Sequence, residues 1–205
     1  MFWIWRRWAD EGCWHTVAGT IVQPEPPNAR CVRFSVAPFP AYRFVPGLLP
    51  HPTADPRGHS FGHAEPEVSG EARVLVTDWR GCPHFCFGVD LYNFAYWWEA
   101  HETWEGLWHC FEEGDPPRHA LQGLIQVSAA HLKRHVGQPR GVEALLRRAR
   151  KHVDQARRAG EVIFGLELER WFAVSVVPFF DRWRGIAVDE SGDAARDYPF
   201  LAPGS

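Results

Sequence analysis

Residues 97 to 108 read Trp-Trp-Glu-Ala-His-Glu-Thr-Trp-Glu-Gly-Leu-Trp, helical in period and charged where a core belongs. Leu91, Phe94, Trp98, His101, Glu105 and Trp108 fall at alternating spacings of three and four, the pattern that turns one helix face towards a core. Most of that stripe is large and apolar, yet its centre is a histidine and a glutamate one turn apart, with Glu102 on the flank. Burying such groups is costly unless they pair, hydrogen-bond or bind a metal. A chain with this stripe is therefore expected to fold around a polar site.

The texture of the chain changes near residue 89. Residues 1–88 are rich in proline and glycine and show no sustained helical period; Cys31–Val36 and Ala72–Thr77 are short β-prone runs. Between them, residues 37–71 read as a long irregular segment. From Asp90, taken as an N-cap, one helix is expected to about Glu112. Gly114-Asp-Pro-Pro117 breaks it and starts a second helix, 118–136, which Gly137-Gln-Pro139 ends. A third helix spans 141–158, with Arg147, Arg148, Arg150, Lys151 and Arg157 on its outer face, read as solvated. Val162–Phe164 reads as a short extended piece, and a fourth helix covers 167–184, kinked or restricted at its start by Pro178.

Short connections favour antiparallel neighbours. The expected fold is all-α: an antiparallel bundle of about four helices (89–184), with an irregular, partly β-prone N-terminal extension (1–88) packed on it and a surface tail (185–205).

Composition narrows the function classes. A formal charge of −3, from 22 basic and 25 acidic residues, gives no support for a nucleic-acid-binding surface. No apolar run approaches the ~20 residues that span a bilayer, and the N-terminus lacks the order of a secretory signal, so a cytoplasmic protein is expected. Five cysteines without an export signal read as free thiols. Cys82 and Cys86 would need a second ligand pair to hold zinc. Eleven tryptophans supply large apolar area, each with an N–H that seeks a partner.

Asp90-Leu-Tyr-Asn-Phe-Ala-Tyr-Trp-Trp-Glu-Ala-His-Glu-Thr-Trp-Glu-Gly-Leu-Trp108, followed by Leu121-Gln-Gly-Leu-Ile-Gln-Val-Ser-Ala-Ala130, resembles the domain-of-unknown-function family 309. The resemblance covers roughly residues 89–158 and rests on a His-Glu-x-x-Glu helix followed by a Leu-Gln-Gly-Leu-Ile-Gln helix. Tyr42 to Gly62 is similar to a segment found upstream in longer members. The resemblance implies a small all-helical fold and no activity.

Two constellations can carry chemistry. His101 and Glu105 share a helix face, so they can ligate a divalent transition metal from one helix, with Glu102 as a further ligand or a general base. Trp98, Trp108, Gln122, Gln126 and His131 are candidates to line a pocket beside them. The second constellation is His51-Pro-Thr-Ala-Asp55-Pro-Arg-Gly-His59-Ser-Phe-Gly-His63, on a loop because its prolines and glycines forbid a regular helix. There His51, Asp55 and His59 are candidate metal ligands, and Arg57 can clamp a carboxylate or phosphate.

Two readings follow. One is a non-catalytic structural or interaction module, its His–Glu cluster joined to tryptophan N–H groups and an arginine such as Arg118, with a protein partner or a second copy on its aromatic surface. The other is a metal-binding protein or metal-dependent hydrolase, in which the loop brings His51 or His59 to His101 and Glu105. His-Glu-x-x-Glu lacks the second histidine of the zincin motif, which argues against a protease.

Overall fold

The computed structural model describes residues 32–64, 66–182, 184 and 198–204. Among these residues there are six helices and no strand. They are α1 (Ser69–Thr77), α2 (Pro83–Asn93), α3 (Trp97–Trp108), α4 (Pro116–His135), α5 (Pro139–Ala156) and α6, which begins as Leu168–Trp171. α6 widens into a π-helical turn at Phe172–Val176 and closes as Val177–Arg182. Pro178 has no N–H to donate and its ring would strike the carbonyl four residues back, so the wider turn sits directly before it.

Helical structure begins at Ser69, earlier than expected. The run Ala72–Thr77, read as β-prone, is helical because Ala72 and Leu75 are buried three apart while Val74 and Val76 point outward. β-branched residues lower helix propensity only slightly, and burial of the apolar edge outweighs that cost. Cys31–Val36 forms no strand at its described residues, 32–36. Val162–Phe164 belongs to a tight turn closed by a bridge between Ile163 and Leu166.

The single helix expected from Asp90 to Glu112 is two helices. α2 ends at Asn93, and Ala95 takes a left-handed φ of 63°. Ala95 N–H donates to Tyr92 O at 3.0 Å and Tyr96 N–H to Leu91 O at 2.8 Å, the paired bonds of a Schellman ending. Asp90 is therefore no N-cap. It lies within α2, buried, and its carboxylate accepts from Phe34 N–H at 2.7 Å, Ser35 N–H at 2.9 Å, Ser35 Oγ at 2.7 Å and Arg33 Nε at 3.2 Å. These four bonds pin residues 33–35 to the bundle. At the other end of α2, Pro83 occupies the first turn and Glu71 of α1 accepts from His84 N–H at 2.9 Å.

α4 is the central helix, packed between α3 and α5. Its ends follow expectation: prolines in the first turn, then Gly137 at φ 70° after the last turn. At Gly88, α3 approaches α2 so closely that an added Cβ would lie 2.1 Å from Trp104 Nε1. The tail expected on the surface is in part core. Tyr198 and Leu201 are buried, and the Asn93 side chain bonds both the N–H and the carbonyl of Leu201 at 2.8 Å.

Candidate functional site

Both constellations meet on α3. Its inner face is Trp97, Ala100, Trp104 and Leu107, and His101 sits at the edge of that face, buried. Glu102 and Glu105 flank it, one carboxylate beside each ring nitrogen: Glu102 Oε1 lies 3.4 Å from Nδ1 and Glu105 Oε2 lies 3.8 Å from Nε2. One ligand atom from each of the three residues falls within 4.8 Å of the others. The two carboxylates are 37% and 30% exposed, so the group opens towards the surface through its oxygens while the imidazole closes its floor. Burial pushes the His101 imidazole down to about 4, against an opposing backbone hydrogen bond at Trp98. At neutral pH the ring is uncharged, the form that ligates metals.

The loop does fold onto α3, but one turn nearer the helix N-terminus than expected. His59 Nε2 meets Glu99 Oε1 at 3.2 Å, and its Nδ1 meets Ser60 Oγ at 2.8 Å. His59 N–H donates to Tyr42 Oη at 3.3 Å, and the Tyr42 ring stands edge-on to the imidazole at 4.7 Å. His51 Nδ1 accepts Thr53 and Ala54 N–H at 3.3 and 3.2 Å, closing its own turn. The His51 ring packs edge-on against Trp98 at 5.4 Å and tilted against Phe44 at 5.1 Å. Asp55 and Arg57 take each other: two side-chain bonds at 3.0 and 2.8 Å, with the Arg57 N–H at 2.9 Å, hold the Asp55 carboxyl down to about 2. The three-ligand group comprises His101, Glu102 and Glu105, and the loop meets α3 through the His51–Trp98 ring contact and the His59–Glu99 bond.

Glu99 is the residue that sequence reasoning missed. It is buried, and Oε1 also accepts Phe44 N–H at 2.8 Å. Its position in the first turn of α3 favours a negative charge through the helix dipole. A third acid within a tryptophan-rich run, two residues before His101, was the available signal.

The expected pocket residues separate. Trp98 faces the loop through Phe44 and His51. Trp108 lies beneath the Arg118 guanidinium at 3.8 Å, and Arg118 also donates to Phe111 O, so the described partners of Arg118 are these and not the His–Glu cluster. His131 is buried in an aromatic cage, stacked on Trp97 at 4.6 Å, with Nε2 3.1 Å from Tyr92 Oη and Phe179, Phe180 and Tyr198 around it. Burial holds it well below the ordinary histidine range. Gln126 is buried and Gln122 half-buried. Cys82, Cys86 and Cys110 are free thiols; burial pushes Cys82 up to about 12 and Cys86 to about 11, which leaves both unreactive. Cys13 and Cys31 lie outside the described residues.

Among the described residues no helix is long and apolar enough to cross a membrane. Residues 85–145, from the first turn of α2 into α5, match the family model described as domain of unknown function, DUF309. The chain carries that domain with a further N-terminal region preceding it. Comparison with curated proteins and with solved structures finds no match.

Proposed function

We propose that this DUF309-containing chain is a metal-binding helical protein in which His101, Glu102 and Glu105 hold a divalent transition metal. The observation that carries the reading is the clustering of three ligand atoms within 4.8 Å, one from a neutral buried imidazole and two from partly exposed carboxylates. A mixed nitrogen and oxygen set of this kind suits zinc, iron, manganese or nickel. Glu102 lies beside Nδ1 and Glu105 beside Nε2, so whichever ring nitrogen ligates has a carboxylate next to it to share the ion. A metal held by these residues would supply Lewis-acid chemistry at a place where the Glu102 and Glu105 carboxylates are partly exposed.

A second reading keeps the three residues as a structural network in a non-catalytic interaction module, and the complete burial of the His101 ring favours it. Metal content separates the two. Untagged protein, purified without chelating resin, is analysed by inductively coupled plasma mass spectrometry alongside His101→Ala and Glu105→Gln. Near-stoichiometric metal in the wild type, lost in both variants, is the expected result. Metal-free wild type that also fails to bind added zinc, manganese or nickel overturns the proposal and leaves the structural network.

A further inference from the structure

Ser60, His59 and Glu99 form a continuous hydrogen-bonded chain. Ser60 Oγ lies 2.8 Å from His59 Nδ1, and His59 Nε2 lies 3.2 Å from Glu99 Oε1. The carboxylate accepts only at its end of this chain, so the histidine tautomer that satisfies both contacts carries its proton on Nε2 and presents a bare Nδ1 to the serine hydroxyl. The backbone that carries the imidazole is tethered: the His59 main-chain N–H donates to Tyr42 Oη at 3.3 Å, and the Tyr42 hydroxyl donates to Pro50 O at 2.8 Å. Glu99 Oε2 is buried and accepts no hydrogen bond among the described residues. The Arg43 guanidinium already interacts electrostatically with this carboxylate, and an imidazolium at His59 would be a second cation hydrogen-bonded to it. Ser60 itself is half-buried, at the rim of the loop.

We propose that Ser60 is an acylatable nucleophile, with His59 as its general base and Glu99 as the positioning residue behind it, acting on small carboxylic esters. Ser60 Oγ attacks the ester carbonyl carbon and its proton passes to His59 Nδ1. Glu99 stabilises the imidazolium through Nε2–H. The bond to the alcohol oxygen breaks, and that oxygen takes the proton from Nδ1 as it leaves. Water then attacks the acyl-serine by the same route in reverse, releasing the acid and restoring Ser60. The nearest backbone donors are spent elsewhere: Ser60 N–H bonds Pro52 O at 3.0 Å and Phe61 N–H bonds Gly58 O at 3.1 Å. Each missing oxyanion donor costs roughly 100- to 1,000-fold in rate. Slow acylation is therefore expected, and covalent labelling reads it better than turnover.

The test is a fluorophosphonate probe followed by intact-mass spectrometry, in the presence of a chelator so that its outcome is independent of metal at His101. Wild-type protein gains one adduct, located to Ser60 by peptide mapping. Ser60→Ala, which removes a single hydroxyl from a turn, keeps the wild-type circular dichroism spectrum and gains none. His59→Gln slows labelling by about 100-fold or more. Glu99→Gln slows it and moves the midpoint of its pH profile to lower pH, because the imidazolium loses its counter-charge; a merely structural Glu99 would leave that midpoint in place. Folded wild type that takes no adduct, or an adduct that persists in Ser60→Ala, overturns the proposal.

Discussion

Single buried carboxylates decide how the irregular N-terminal segment is held. Asp90 receives four hydrogen bonds from residues 33–35, and Glu99 receives Phe44 and His59. Each satisfies backbone N–H groups of a chain that has no strand partner for them. Asp90→Ala leaves those donors without an acceptor and is expected to cost about 3 kcal/mol of stability. Denaturant unfolding with an unchanged m-value measures it; a loss within the scatter of surface substitutions would contradict the clamp. Neither role was legible in the sequence. Asp90 carries every mark of an N-cap, and only the long-range approach of Arg33, Phe34 and Ser35 shows that it is an acceptor inside a helix. His101, Glu102 and Glu105 were legible, because adjacency and one-turn spacing on a single helix need no tertiary knowledge.

The helices show the same boundary between local and long-range information. α2 and α4 end in the same Schellman geometry, with Gly137 N–H on Arg134 O at 3.0 Å and Gln138 N–H on Lys133 O at 2.9 Å after α4. The second ending could be read, because glycine occupies the left-handed position. The first could not, because alanine occupies it, and alanine signals continuation. What stabilises the break is tertiary: Leu91, Ala95 and Tyr96 are all buried at the corner. Left-handed φ costs an L-residue about 1–2 kcal/mol, of which the greater unfolded-state freedom of glycine returns about 0.4–1 kcal/mol. Ala95→Gly is thus expected to raise stability slightly, by about 0.5–1 kcal/mol, whereas Gly137→Ala lowers it by about 1 kcal/mol. Paired thermal melts check the opposite signs. A loss of stability in Ala95→Gly would mean that no strain resides at the corner.

Across the whole molecule, the folded state is built around neutral histidines. His101 is held at about 4 and His131 well below its ordinary value, both by burial. His119 and His152, whose Nδ1 atoms lie 2.8 Å apart between α4 and α5, are also lowered, His152 in part by its partner. An unfolded histidine takes a proton near 6.5, so between that pH and the depressed folded value the unfolded state binds more protons and stability rises with pH. Stability is expected to be level above about pH 6.5 and to fall on acidification towards pH 4, with His101 alone contributing on the order of 3 kcal/mol. His131→Phe, which keeps an aromatic ring in the cage and removes the titration, should flatten part of that fall in urea midpoints measured from pH 7.5 to 4.5. An equally steep fall in the variant would assign the acid sensitivity elsewhere.

The docking of residues 198–204 bears on how the chain matures. Tyr198 and Leu201 reach Asn93 across more than a hundred residues of sequence, and Gly204 N–H reaches Gly165 O at 2.7 Å. The final turn of α2 thus gains its lid only when residues made long after it have arrived. During synthesis there is a stage at which α1 to α6 have all been made and Tyr198 has not yet reached the Trp97–His131 stack. Until then the aromatic rings that Tyr198 covers, Trp97 and His131, keep one face uncovered by it.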